Sequence, residues 1–213
     1  MGTIKQGILG GFNGKVGTVI GYSWKGKAVM RSIAQNVHNP NTEAQQAQRM
    51  RFSLITKALA QLNPFVVWGF KSKASGKTEG NAAFSANFAN AVTGVYPNLS
   101  IDVSQLQLAS GPLPLAANPN ATVDPAQHMV TVTWSNNSGE MGALDSDVTM
   151  AALYNAELNQ AVVMVEGADR AAESLTISYP VGWSGGTLAV YVAWRSASDG
   201  LVSNSLFLGS HES

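Results

Sequence analysis

LAVYVAWR, residues 188–195, alternates so that Leu188, Val190, Val192 and Trp194 fall on one face of a strand and Ala189, Tyr191 and Ala193 on the other. MVTVTWS, 129–135, repeats the pattern with Val130, Val132 and Trp134. Around them, apolar runs at 99–108, 148–154, 161–165, 174–179 and 201–208 are separated by turn residues such as Asn136-Asn137-Ser138-Gly139, 182–186 and Asp199-Gly200. Seven short strands at this spacing predict an antiparallel β-sandwich over the second half of the chain.

Upstream the character changes. Residues 16–33 read as a hairpin: Val16 to Trp24, a Lys25-Gly26-Lys27 turn in which glycine supplies the positive φ, then Ala28 to Ile33. The glycines at 10, 11, 14, 17 and 21 mark bulges or close backbone approach. The His38-Asn39-Pro40 break ends the hairpin. Thr42 and Gln45 stand at capping-box spacing with Glu43 placed for the helix dipole, predicting a helix over 43–62 whose buried stripe is Phe52, Ile55, Leu59 and Leu62. PFVVWGF at 64–70 is either a short buried strand or a helical turn, and a further helix is predicted over 82–92. The expected fold class is α+β: an N-terminal β-hairpin with helices, then an immunoglobulin-like β-sandwich. The expected domains are 1–97 and 98–213.

Charge divides the chain more sharply than hydropathy does. Residues 1–80 hold eleven lysines and arginines against Glu43 and Glu79, whereas the remainder holds Arg170 and Arg195 against eleven acids. A net charge of zero therefore conceals a basic first part and an acidic second part, the pattern of head-to-tail contact between copies, of a polyanion-binding half, or of two domains of one chain that compensate each other. With no cysteine there is neither a disulfide frame nor a thiolate metal site. The start lacks the continuous apolar core of a secretory signal, and no run reaches the roughly 20 apolar residues of a membrane span. The expectation is synthesis in the cytoplasm, with a virion or extracellular assembly as destinations.

Motifs that carry chemistry are absent or incomplete. SGKT at 75–78 lacks the glycine a phosphate loop needs five residues before Gly76, and GGFNGKVG fails in the same way. His38, His128 and His211 stand alone, with no second ligand at helical or hairpin spacing. Asp145-Ser146-Asp147 lacks the further carboxylates of a calcium loop and reads as a solvated turn. No serine sits in a nucleophile elbow, and no carboxylate pair stands out for acid-base work, so no enzyme and no cofactor is expected. The one aromatic-basic cluster is Tyr22, Trp24, Lys25, Lys27 and Arg31. With Lys15, Arg49 and Arg51 it makes up the candidate interaction residues.

Two resemblances add to this reading. MVTVTW at 129–134 and VYVAWRSASDGLVSNS at 190–205 resemble the second strand and the last hairpin of fibronectin type III or immunoglobulin-like domains, which implies a fold and no particular function. Over nearly the whole chain, MGTIKQGILGGFNGKVGTVIG (1–21), WKGK (24–27), Arg31, NPNTEAQQAQR (39–49), Phe52, Asn90, 94–97, Ile101-Asp102 and SNSLFLG (203–209) resemble a family of uncharacterised proteins from Bacteroidota and their phages. That family implies architecture and lineage rather than mechanism. The run from the basic hairpin to NPNTEAQ is also similar to small proteins of phage structural regions. The leading expectation is a non-enzymatic structural protein that self-assembles: a phage virion component, or a filament or surface-layer subunit. Its partners would be further copies, through basic N-terminal to acidic C-terminal contacts, or other virion or surface proteins. The alternatives are a nucleic-acid-binding protein using the basic half and a carbohydrate or cell-surface binding module using the sandwich loops and Trp183.

Overall fold

The computed structural model describes residues 3–4, 10–34 and 40–213. The expected break at His38-Asn39 lies outside the described residues. The chain forms two compact units, Met1–Thr42 and Glu43–Ser213.

The first unit is a four-stranded antiparallel sheet in sequence order: β1 (Thr3–Ile4), β2 (Phe12–Val16), β3 (Val19–Trp24) and β4 (Lys27–Ser32). Trp24 pairs with Lys27 across a two-residue turn, so the turn is Lys25-Gly26 and Lys27 already belongs to β4. Lys25 at φ 46° and Gly26 at φ 78° have the two positive φ values of a type I′ turn, the form whose twist suits a tight hairpin.

The second unit opens with α1 (Glu43–Gln61), starting where Thr42 and Gln45 place it. The residues of PFVVWGF fold mostly as helix, within α2 (Asn63–Gly69), with proline near its N-terminus where the missing N–H costs nothing. α3 (Glu79–Asn87) is capped by Thr78, whose hydroxyl accepts from the Asn81 amide at 3.2 Å. The threonine of SGKT is thus a helix cap. A hairpin follows, β5 (Val92–Val95) with β6 (Asn98–Ile101), turning at a cis Tyr96-Pro97 bond.

Seven strands then build an immunoglobulin-like sandwich. One sheet has the order β11 (Ser174–Ser178), β8 (Met129–Ser135), β7 (Ala117–Asp124). The other has the order β10 (Gln160–Met164), β9 (Val148–Asn155), β12 (Thr187–Arg195), β13 (Leu206–Glu212). The number of sandwich strands is as the sequence predicts, but the first is not the one expected. Residues 99–108 supply β6, a single 3-10 turn at Val103–Gln105 and an extended segment, whereas the first sandwich strand is β7, ANPNATVD. Asn118 at φ 48° and Pro119 disguise it, and both are tolerated because β7 is an edge strand with an irregular register between Ala117 and Asn120.

Leu188, Val190, Val192 and Trp194 of β12 meet Val130, Val132 and Trp134 of β8 between the two sheets, where the Trp134 and Trp194 rings stand edge to face at 5.7 Å. The other face of the four-stranded sheet is buried as well. Ala189, Tyr191 and Ala193 of β12, with Met150, Ala152 and Tyr154 of β9, pack under Ile55, Ala58, Leu59, Leu62, Phe65 and Val66 of the helical layer. Small alanines let the helices approach the sheet, and the Tyr191 hydroxyl donates to the Val103 carbonyl at 2.6 Å. Burial holds the Tyr191 phenol far above its ordinary pKa. Each fully buried leucine or isoleucine on α1 contributes about 1.5–3 kcal/mol, which fixes the helices to the sandwich.

A boundary expected at 97/98 therefore falls inside the second unit, and the units instead divide at 42/43. Phe52 also departs from the predicted stripe: it is 55% exposed and rests on the Phe84 ring at 4.7 Å, with Ala58 taking a place in the buried face.

Candidate interaction surface

Strand alternation sorts the first unit's side chains onto two faces. The register pairs Lys15 with Ile20, Ile20 with Arg31, Tyr22 with Val29 and Trp24 with Lys27. Directly opposed residues share a face, so Lys15, Ile20, Tyr22, Trp24, Lys27, Val29 and Arg31 all lie on one side. The other side carries Gly14, Val16, Val19, Gly21, Ser23, Ala28, Met30 and Ser32, none of them charged. There Phe12 crosses over Gly21, where an added Cβ would lie 2.3 Å from the Phe12 carbonyl oxygen and 2.7 Å from its ring. Gly21 is the one fully buried residue among the described residues of this unit.

The structure thus collects Lys15, Tyr22, Trp24, Lys27 and Arg31 on one face and puts Lys25 in the turn at its end. Arg49 and Arg51 belong to the other unit, on α1. Ile20 and Val29, which complete the face between the cations, are legible only once the register is known. Trp24 is 54% exposed and Tyr22 40%, large apolar surfaces of the kind that mark interaction sites when they cluster. All five cations of residues 1–42 are lysine or arginine with no acid among them, while residues 43–213 hold eight cations against thirteen acids.

In the second unit the buried Arg170–Asp147 pair does structural work. Arg170 is buried, and burial lowers its pKa from the ordinary guanidinium value. It donates from Nε to Asp147 Oδ2 at 3.2 Å, to Asn137 Oδ1 at 2.6 Å and to the Pro114 carbonyl at 2.9 Å, and it lies over the Trp194 ring. The Trp134 indole N–H donates to the Arg170 carbonyl at 2.8 Å, and the Leu144 amide to Asp147 Oδ2 at 3.0 Å. Asp147 is therefore a core counter-ion. Asp145 accepts from Asn136 Nδ2 at 2.6 Å, and its hydrogen bonds from Asn136 and Ser138 hold it below the usual carboxylate range. No group of three or more metal-ligating side chains occurs among the described residues. Trp183 is buried, with its N–H donated to Gln160 Oε1 at 2.7 Å. No helix among the described residues is long and apolar enough to cross a membrane.

An immunoglobulin-like sandwich carrying a helical layer on one sheet, preceded by a small sheet with an aromatic-basic face, defines the class of this protein. The chain belongs to a family of unknown function, DUF6266, which matches residues 11–209. A search of curated proteins found no match.

Proposed function

We propose that the chain is a non-enzymatic structural subunit that assembles with itself, its N-terminal sheet docking on the acidic body of a neighbouring copy. A phage virion, a filament or a surface layer are the settings this suits. The observation that carries the reading is the one-sidedness of the sheet: two exposed aromatics and three cations share a face, in a unit without an acid. Aromatic rings supply rigid contact area at such a surface, while opposite charges set orientation and reject like-charged alternatives. A contact between unlike surfaces repeats head to tail, and it closes as a ring or runs on as a fibre.

The same face favours one second reading. Aromatics interleaved with cations bind single-stranded nucleic acid by stacking and phosphate contact. The body's excess of acids weighs against it, because that surface repels a polyanion and competes for the basic face. The carbohydrate reading named the sandwich loops and Trp183; Trp183 is part of the core, which leaves that reading to the loops. One triple variant, Lys15→Glu/Lys27→Glu/Arg31→Glu, separates the self-assembly and nucleic-acid readings when wild type and variant are compared by light scattering and by gel shift with single-stranded DNA and RNA. Self-assembly that the variant loses, with no gel shift from the wild type, supports the proposal. A salt-sensitive gel shift from a wild type that stays monomeric at high concentration overturns it in favour of nucleic acid.

A further inference from the structure

The acids of the sandwich are not spread evenly. At the end where β8 passes to β9 and β10 to β11, Glu140, Asp145, Asp169 and Glu173 are all exposed. The arginines at this end are engaged, Arg170 with buried Asp147 and Arg195 with Glu166 at 3.1 Å. Beside Arg195 the helical layer contributes Lys71, whose ammonium lies 4.7 Å from the centre of the Trp68 ring that Arg195 also covers, so the α2 side of this end is mixed in charge. The side of the three-stranded sheet, made by loops 136–147 and 165–173, carries the four carboxylates with no free cation among the described residues of those loops.

On the first of these loops stands Met141, 91% exposed, the most exposed large apolar side chain among the described residues. Its backbone is at φ 47°, in the left-handed region, between Gly139 at φ 87° and Gly142 at φ 86°. The tip is closed by the Gly139 amide donating to the Ala143 carbonyl and the Ala143 amide to the Glu140 carbonyl, both at 2.8 Å, with Ala143 buried below. The two loops are tied together: the Asn136 amide donates to Glu173 Oε1 at 2.7 Å and the Arg170 amide to the Asp147 carbonyl at 2.7 Å. A non-glycine residue in this backbone region is strained, and the Met141 side chain has little cover from its own fold.

We infer that this platform, the two loops that carry Met141 with Glu140, Asp145, Asp169 and Glu173, is the surface on which the aromatic-basic face of a second copy's N-terminal sheet sits. The inference rests on the self-assembly reading and names its acceptor. The occupant is fixed by complementarity. The sheet face presents Lys15, Lys27 and Arg31 with Tyr22 and Trp24, and the platform's two loops present four exposed carboxylates and one exposed thioether, a group that packs well against aromatic rings. Because the platform's loops are hydrogen-bonded in place, little ordering entropy is lost on docking.

The test compares two full-length variants of matched chemistry. One changes the platform, Glu140→Gln/Met141→Ser/Asp169→Asn. The other changes the opposite end of the sandwich, where Leu158 is also an exposed apolar residue beside an acid: Glu157→Gln/Leu158→Ser/Glu212→Gln. Light scattering at low salt gives the concentration for half-assembly, and circular dichroism checks the fold. The platform variant should need about 10-fold more protein or higher, the equivalent of one lost contact of about 1.4 kcal/mol, and the control should stay within about 2-fold of wild type. If both variants shift equally, or neither does, while wild type assembles in a salt-sensitive way, the acceptor is wrong and the self-assembly reading stands. A monomeric wild type overturns both. Should the platform variant misfold, Met141→Ser alone must still raise the half-assembly concentration, and no change in it overturns the inference.

Discussion

β3 and β12 are both central strands of antiparallel four-stranded sheets, yet they are covered in opposite ways. β12 is buried on both faces from Leu188 to Trp194, by the second sheet on one side and the helical layer on the other. β3 buries Gly21 and leaves Tyr22, Ser23 and Trp24 exposed. A strand of the first kind belongs to a core that stands by itself; an isolated sheet of the second kind is marginal in water and gains stability from what it meets. The difference locates the buried core in residues 43–213 and, on the function proposed above, recognition in residues 12–32.

The largest break in that comparison should come from the body's buried ion pair. Arg170→Ala leaves Asp147 without its partner and is expected to cost about 3–5 kcal/mol in denaturant unfolding, whereas Arg170→Met/Asp147→Leu should cost markedly less because no charge is stranded. Equal losses would mean that Arg170 acts through packing on Trp194 rather than through its charge. A smaller effect, confined to the other region, is expected of Gly21→Val. The new side chain meets the Phe12 backbone, and overpacking of this kind costs about 1–3 kcal/mol, more than a sheet that buries Gly21 alone among its described residues can absorb. Trp24 fluorescence should then report a disrupted N-terminal sheet while the body's thermal midpoint stays put. A lowered midpoint would show that the sheet supports the body.

How much of this was legible follows from where each residue spends its interactions. The sandwich is readable because Val130, Val132 and Trp134 alternate against polar neighbours. The helix over 43–61 is readable from its cap and its apolar period. The helical layer's attachment was also written in the sequence, in a signal easily passed over: Ala189, Tyr191 and Ala193 are apolar on the face that an exposed sheet would leave polar, as are Met150, Ala152 and Tyr154. β7 was hidden because an edge strand tolerates Asn118 and Pro119. Of the candidate surface, Tyr22, Trp24 and Lys27 were visible by composition, but their sharing a face with Lys15 and Arg31 depends on register across two turns. Arg170 and Met141 carried no local pattern: one is defined by distant partners and the other by its exposure.

The central claim, that the basic sheet of one copy meets the acidic body of another, is tested most directly by the molar mass of the intact chain in solution at about 0.01 M and 1 M salt, where the Debye length falls from about 30 Å to about 3 Å. Docking between copies predicts masses that are multiples of the 22.3 kDa chain at low salt, rising with concentration and returning to the single chain at high salt. A monomer at every concentration and at both salts would contradict it.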